Sequence, residues 1–305
     1  MTEPDELSRM MAEAGLAASA ADDLPEGHRS GFVALLGRPN VGKATLLNSI
    51  LGEKVSITSS RPQTTRHQIR GVLEREGAQV VFIDTPGLHN PRTAMGERLN
   101  ATATEVLGGV DVVCLLVDAV KGIGKGDRML AEQVGAEAVL VLNKCDRAGR
   151  ERVAQQLAVA SELEFSEYFP ISARTGEGVE ELVEHLVSRL PEGPRWYPQG
   201  TRSDRSEEFM VAELVREQLL AVARDELPHS IATRVSEWEW PRIRVEILVE
   251  RESQKPIVIG KGGSVLKEVG TRVRQQLPEG AFLELHVSVD RDWQRNPRSL
   301  DRLGY

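Results

Sequence analysis

The sequence predicts two domains in series: an α/β domain on a mostly parallel sheet with helices on both faces, then a smaller α+β domain. Three observations predict this. Across residues 31–190, short and nearly continuous aliphatic runs alternate with amphipathic stretches long enough to cross back over a sheet. At 191–206 the segment PEGPRWYPQGTRSDRS, with three prolines and two glycines, interrupts the alternation and reads as a linker. Over 207–290 the order of elements becomes α-β-β-α-β. A chain of 305 residues is long enough for two such domains.

Residues 1–30 are acidic and Ala-rich and read as an N-terminal tail. The predicted strands of the first domain are Phe32–Leu36, Val80–Ile83, Val112–Val117, Ala138–Leu142 and Tyr168–Ile171, with His67–Glu74 as a further strand of alternating character. The helix Val179–Leu190 closes the domain. In the second domain a helix, Glu208–Glu226, precedes strands Ile231–Glu239 and Arg242–Arg251. An apolar segment, IVIG at 257–260, then leads through a Gly turn to the helix Ser264–Gln276 and the strand Ala281–Val289. Residues 291–305 read as a C-terminal tail, in which Trp293 has no assigned role.

Hydrophobic residues make up 40% of the chain and aromatics 4%, so aliphatic side chains must build the cores. The net charge of −8 excludes a protein that coats nucleic acid by global positive charge, and any such binding needs a local patch. Cys114 and Cys145 form neither a CxxC pair nor a metal-spaced cluster, which fits a reducing cytoplasm. No secretory leader is legible at the N-terminus, and the longest apolar run, Val112–Val117, is too short to span a bilayer.

Phe32–Leu36 runs into GRPNVGKAT (Gly37, Arg38, Pro39, Asn40, Val41, Gly42, Lys43, Ala44, Thr45) and then a helix. A strand, GxxxxGK and a helix start form the P-loop, whose amides point at phosphate oxygens while the lysine reaches the β- and γ-phosphates. Ala44 departs from the pattern. A Ser or Thr hydroxyl there normally ligates Mg²⁺, and Thr45 points about 100° away around the helix. Loss of that contact, valued as a charge-assisted hydrogen bond, costs about 1.5–3 kcal/mol. Weak Mg²⁺ dependence and slow turnover are expected.

NKCD (Asn143, Lys144, Cys145, Asp146) follows the strand Ala138–Leu142. A carboxylate at 146 can accept from the N1–H and 2-amino group of guanine, donors that adenine lacks, and such sites discriminate by about 10⁴–10⁵. Asn143 and the stem of Lys144 hold the loops and cover the base. Ser172 and Ala173, after Ile171, fit the loop that closes over it. DTPG (Asp84, Thr85, Pro86, Gly87), followed by Leu88, ends the strand Val80–Ile83. Asp84 can hold a Mg²⁺-bound water, and Gly87 can turn its amide to a γ-phosphate. In QTTRH at 63–67, Thr65 is the candidate second Mg²⁺ ligand, although Thr64 and Thr65 taken alone also fit a polar surface loop.

In the second domain Gly260-Lys261-Gly262-Gly263 is a GxxG loop. Residues 251–275 carry six basic side chains, Lys261 and Lys267 among them, against Glu252 and Glu268. Such a patch suits single-stranded RNA, although a Gly turn with solvated charges has the same composition.

The order and spacing of GRPNVGKAT, QTTRH, DTPGL, NKCD and ISA, with the GxxG half behind them, resemble the Era family of translation-factor-related GTPases, over residues 31–305. The resemblance implies a P-loop NTPase G domain at 31–190 and a type II KH domain at 207–290. It also implies GTP/GDP and Mg²⁺ as ligands. The expected function is GTP hydrolysis coupled to binding near the 3′ end of 16S ribosomal RNA and to assembly of the 30S subunit. A monomer in the cytoplasm, in part peripheral at the inner face of the cell membrane, is expected with it. In related enzymes an asparagine at the position of Asn40 helps bind K⁺, and many small GTPases carry at the position of Leu88 a glutamine that orients the attacking water. Among the residues named above, the resemblance assigns Lys43, Thr65, Gly87 and Asn40 to catalysis. Two other classes share some of these features: an RNA-binding scaffold with little hydrolysis, because of Ala44 and Leu88, and a metabolic P-loop kinase, against which NKCD argues.

Overall fold

The structure is a computed structural model that describes residues 24–61, 63–88, 93–222 and 230–305. Most of the expected acidic tail, residues 1–23, and the predicted helical turn 223–226 lie outside the described residues. The chain divides into two compact units. The first comprises residues up to Val55, Gln68–Leu88 and Thr102–Asp204. The second comprises Ser56–His67, His89–Ala101 and Arg205–Tyr305.

The first unit is a six-stranded sheet in the order β2-β3-β1-β4-β5-β6. Its strands are β1 (Arg29–Gly37), β2 (Ile69–Arg75), β3 (Ala78–Asp84), β4 (Val112–Asp118), β5 (Val139–Asn143) and β6 (Glu167–Pro170). Only β2 pairs antiparallel, on β3. Strands β1, β3, β4 and β5 are buried along nearly their whole length, as doubly covered parallel strands must be. Helices α1 (Lys43–Leu51) and α6 (Val179–Arg189) pack on one face. Helices α3 (Lys125–Val134) and α5 (Arg150–Ser161) cover the other, around Leu115, Val117, Leu140 and Leu142. A four-residue helix α4 (Cys145–Ala148) precedes α5, and α2 is Ala94–Glu105.

Register fixes where function can lie. Leu35 pairs with Asp84, Gly37 with Leu116 and Asp118 with Asn143. The ends of the central strands are thereby brought level, and the P-loop, DTPG and NKCD emerge from the same carboxyl edge of the sheet.

Residues 191–204, expected as linker, are fastened to the first unit. Gln79 accepts from the amides of Trp196 (2.7 Å) and Tyr197 (2.9 Å) and donates to the Tyr197 carbonyl at 2.8 Å. The Val72 amide donates to Arg202 O, and Gly71 bridges Ser203. The segment pairs with the free edge of β2 and covers it. Its prolines and glycines hide this role, because edge pairing by a few backbone groups needs no strand-like sequence.

In the second unit α7 (Glu207–Val222) and α9 (Ser264–Arg274) cover one face of the sheet β7-β8-β9. Strand β7 (Ala232–Glu239) pairs antiparallel with β8 (Arg242–Val249), which pairs parallel with β9 (Phe282–Val289). The parallel pairing requires the crossover that α8 (Lys255–Ile259) and α9 supply. IVIG thus ends a short helix. Trp238 packs on this core and Trp240 is exposed.

Residues 291–305 are no free tail. Trp293 is fully buried among Met95, Leu99, Ala232, Leu248 and Leu300, and its indole donates to Ser230 O at 2.9 Å. Asn296 caps α10 (Pro297–Arg302), accepting from the Arg298 amide. An Asn cap followed by Pro at the first helical position is a legible helix start. Among the described residues, no helix is long and apolar enough to cross a membrane.

Candidate nucleotide site and nucleic-acid interface

Every predicted nucleotide-binding residue except Thr65 lies in the first unit, at the carboxyl edge of the sheet. Gly37 and Gly42 hold φ of 145° and 107°, and a Cβ would lie 2.5 Å from Leu116 O at the first and 2.3 Å from Asn143 Nδ2 at the second. Neither position accepts a side chain without moving its neighbours. Gly87 is set by space: a Cβ there would meet the Pro39 backbone at 2.8 Å, so the DTPG loop passes directly over the P-loop. Thr85 donates to Leu35 O at 2.9 Å and fixes that turn, and Pro86 is buried beside it.

Asn143 joins three loops. Its Nδ2 donates to Val41 O at 2.9 Å, and its Oδ1 accepts from the amides of Lys144 (2.7 Å) and Ala173 (3.0 Å). Lys144 reaches back across the P-loop and donates to Asn40 O at 2.5 Å and Asp118 Oδ2 at 2.8 Å. Burial pushes the Asp118 carboxyl up, but Lys144 and the amides of Lys121 and Val120 outweigh it and hold the carboxyl below its usual range. Asp118 escaped the sequence reading. Its signal was an acid ending an otherwise aliphatic strand.

The Asp146 carboxylate accepts from Ser172 Oγ at 2.9 Å, and Ser172 is itself fully buried. Around it lies a cavity of about 160 Å³ lined by Gly42, Thr45, Asn143, Asp146, Ala173 and Arg174, among others. Cys145 hangs its amide on Ile171 O and its thiol on Leu142 O, so its place is backbone-determined.

Lys43 is buried at the floor of the loop, its ammonium donating to Gly37 O (3.0 Å) and Arg38 O (3.3 Å). Burial lowers its pKa to about 8, against the attraction of Asp84. A buried ammonium whose hydrogen-bond partners among the described residues are two carbonyls fits an anionic ligand that would complete its shell. Arg38 turns aside to Asp127 at 3.3 Å. Leu88 packs against the core under α3. The donor set fits Mg²⁺ only in part: Asp84 is fully buried at the end of β3, but Ala44 offers no oxygen. Thr65 belongs to the second unit.

In the second unit Gly260, Gly262 and Gly263 all have positive φ, of 77°, 61° and 78°. A Cβ on Gly260 would press on the start of α9, whereas one on Gly262 or Gly263 would meet nothing within 4 Å. Lys261 and Lys267 are exposed and carry no ion pair among the described residues, while Arg272 pairs with Glu268 at 2.5 Å. Ile257, on α8 just before the loop, is 56% exposed. That exposure was not legible in the sequence, because Ile257 stands inside the apolar run IVIG.

A glycine cradle, a buried lysine and an anchored aspartate define a guanine-nucleotide-binding P-loop fold, here joined to a KH-type α+β unit. The 50S ribosome-binding GTPase family matches residues 32–144 and the KH domain family residues 226–294. GTPase Era of Mycolicibacterium smegmatis is 45% identical over 295 residues, covering 91% of this chain and 99% of that protein. GTPase Era of Mycobacterium tuberculosis is 46% identical, covering 90% and 98%. A crystal structure of Era in complex with MgGDPNP and nucleotides 1506–1542 of 16S ribosomal RNA is similar with a TM-score of 0.87 at 36% identity, covering 91% of this chain and 99% of that one. An Aquifex aeolicus Era variant bound to GDP and aluminium fluoride gives a TM-score of 0.86 at the same identity and coverage. The chain belongs to the Era family of GTPases.

Proposed function

We propose that the chain is a GTP-binding and GTP-hydrolysing switch that binds single-stranded RNA at the 3′ end of 16S ribosomal RNA and assists its processing and the assembly of the 30S subunit. The observation that carries this is the Asp146 carboxylate, held by Ser172 in a cavity that Gly42 of the phosphate loop also lines. That carboxylate accepts from the N1–H and 2-amino group of guanine, and Asn143 fixes the surrounding loops. The amides of residues 37–45 hold the phosphates, with Lys43 at their β- and γ-oxygens. Gly87 turns its amide to the γ-phosphate and senses its loss. Asp84, through water, and Thr65 would hold Mg²⁺, which when bound neutralises charge between the β- and γ-phosphates. Leu88 cannot orient water, and Asn40 is the residue assigned to a K⁺ that compensates. Gly260-Lys261-Gly262-Gly263 clamps the RNA backbone, with Lys267 beside it. The chain works in the cytoplasm, part of it at the membrane surface.

Single-turnover hydrolysis of GTP and ATP in KCl and in NaCl, with and without single-stranded RNA of the 16S 3′ end, tests the reading. GTP turnover, faster in KCl, is expected, and Asp146→Asn should lower GDP affinity about 10³-fold or more. Equal use of ATP defeats the guanine assignment, and equal rates in the two salts defeat the role of Asn40. GTP binding without turnover would favour the RNA-binding scaffold, the reading to which Ala44 lends weight.

A further inference from the structure

Asp118 ends β4 and stands level with Asn143 at the end of β5, whose carbonyl accepts from the Ala119 amide at 2.9 Å. Its side chain is buried, and its two oxygens do different things. Oδ1 accepts from the amides of Val120 (2.9 Å) and Lys121 (3.2 Å) and so shapes the turn that leaves the strand. The Gly122 amide closes that turn on the Asp118 carbonyl at 2.8 Å. With its plane fixed from behind, the carboxylate presents Oδ2 to the Lys144 ammonium at 2.8 Å. Lys144 starts from a left-handed backbone, φ 70°, and its ammonium also donates to the carbonyl of Asn40, itself at φ 65°. Between these ends its stem runs beside the phosphate loop, where a Cβ on Gly42 would lie 3.9 Å from Lys144 Cε. The same side chain lines the cavity around Asp146, together with Thr45 and Ala173. All of these residues belong to the first unit.

A lysine stem is long and flexible, and fixing it costs conformational entropy. An anchor at its tip meets that cost within the protein rather than at the moment of binding. We propose that Asp118 is a positioning residue for nucleotide binding: it holds the Lys144 stem as a wall of the base cavity and thereby slows the release of guanine nucleotide. This rests on the nucleotide reading of that cavity. Asp118 is not among the residues that line it, so its influence passes through Lys144. The carbonyl of Asn40 alone cannot do the same, because it is a neutral acceptor, and hydrogen bonds between ionised groups are the stronger kind. A wall held in this way acts mainly on the dissociation rate.

The test uses the full chain and a two-by-two set of variants. Asp118→Asn keeps an oxygen for the Val120 and Lys121 amides but turns an NH₂ group toward the ammonium. Lys144→Met keeps an unbranched stem and removes the charge that anchors it. The third variant carries both substitutions. Release of fluorescent GDP into excess unlabelled GDP is followed by stopped flow, and the unfolding temperature of each variant shows that it is folded. Asp118→Asn should release GDP about tenfold faster, with the association rate within twofold. Lys144→Met should accelerate release to a similar extent, and the double variant should be no faster than Lys144→Met alone, as expected for two residues that act as one. Release at the unsubstituted rate from either single variant overturns the proposal, since the carboxylate would then serve only its own turn. Accelerations that multiply in the double variant also overturn it, because Asp118 would then act by a route other than Lys144. Failure of the unsubstituted chain to bind GDP overturns instead the nucleotide reading beneath it.

Discussion

The two glycine loops of the chain, residues 37–43 and 260–263, both feed the start of a helix, but they are built for different guests. The first is walled in. Any Cβ on Gly42 runs into Asn143, and Lys43 is buried beneath with its pKa lowered to about 8. The second is open: Gly262 and Gly263 face empty space, and Lys261 is exposed. A walled loop with its charge already desolvated suits one compact polyanion that enters end-on and completes a fixed shell. An open loop with a solvated charge suits a polymer that passes across it. The same residue type therefore serves steric closeness in one loop and access in the other, and the loops should respond differently to the same change.

Gly42→Ala should have the largest effect. The new methyl would lie 2.3 Å from an amide nitrogen that already serves Val41 O, and Asn143 cannot retreat without releasing Lys144 and Ala173. Loss of GDP affinity of about 10²-fold or more is expected by titration calorimetry, with RNA affinity retained. Gly262→Ala meets no neighbour and bears only the strain of a left-handed residue, about 1–2 kcal/mol. RNA affinity should fall about tenfold, and GDP binding should not move. If the two substitutions cost their respective ligands equally, the contrast between walled and open loops is wrong.

Ala44 sharpens the same contrast, because it is a gap in the walled loop. It is buried at the start of α1, next to Lys43, and brings no oxygen. Ala44→Ser should strengthen Mg²⁺-dependent retention of nucleotide by about tenfold to a hundredfold, matching about 1.5–3 kcal/mol for a charge-assisted contact. The readout is the GDP release rate with Mg²⁺ against EDTA. A release rate equally insensitive to Mg²⁺ in both proteins would place the metal elsewhere.

What the sequence discloses follows from how local the physics is. The P-loop, DTPG and NKCD are legible because each is a contiguous run of fixed spacing that follows a strand announced by aliphatic residues. The sheet and the KH-like order were legible for the same reason. The ties between motifs were not. Asn143 reaching Val41 and Lys144 reaching Asp118 join residues 102 and 26 positions apart, and no periodicity encodes such pairs. The burial of Glu213, Arg216 and Glu217 on α7 was hidden because in sequence they look like a solvated helix face. Only the structure reveals that the chain folds back to bury them. Residues 291–305 were hidden by composition: one tryptophan, two leucines and one tyrosine among charges give no amphipathic period, though they pack together in one apolar cluster. The exposure of Ile257 was hidden for another reason, since an apolar residue within the run IVIG carries no mark of facing solvent.

The smallest expected effect belongs to Lys261, and it separates the two loops by mechanism rather than by size. A lysine that is exposed and carries no ion pair among the described residues gives up little solvation when it meets a phosphate. Its contribution comes mainly from releasing a counterion. Lys261→Ala should therefore weaken single-stranded RNA binding only a few-fold near physiological salt, and similarly for every RNA sequence. Its mark is the slope of log affinity against log salt, which should shrink in magnitude by about 0.7, the value for one phosphate contact on a single strand. A fluorescence anisotropy series from low to high KCl measures it. Lys43 offers the opposite case, since its charge is already stripped of water and lies against two carbonyls. An unchanged slope in Lys261→Ala, or a loss confined to one RNA sequence, would mean that Lys261 reads a base or lies off the RNA path, and the open loop would then need another source of affinity.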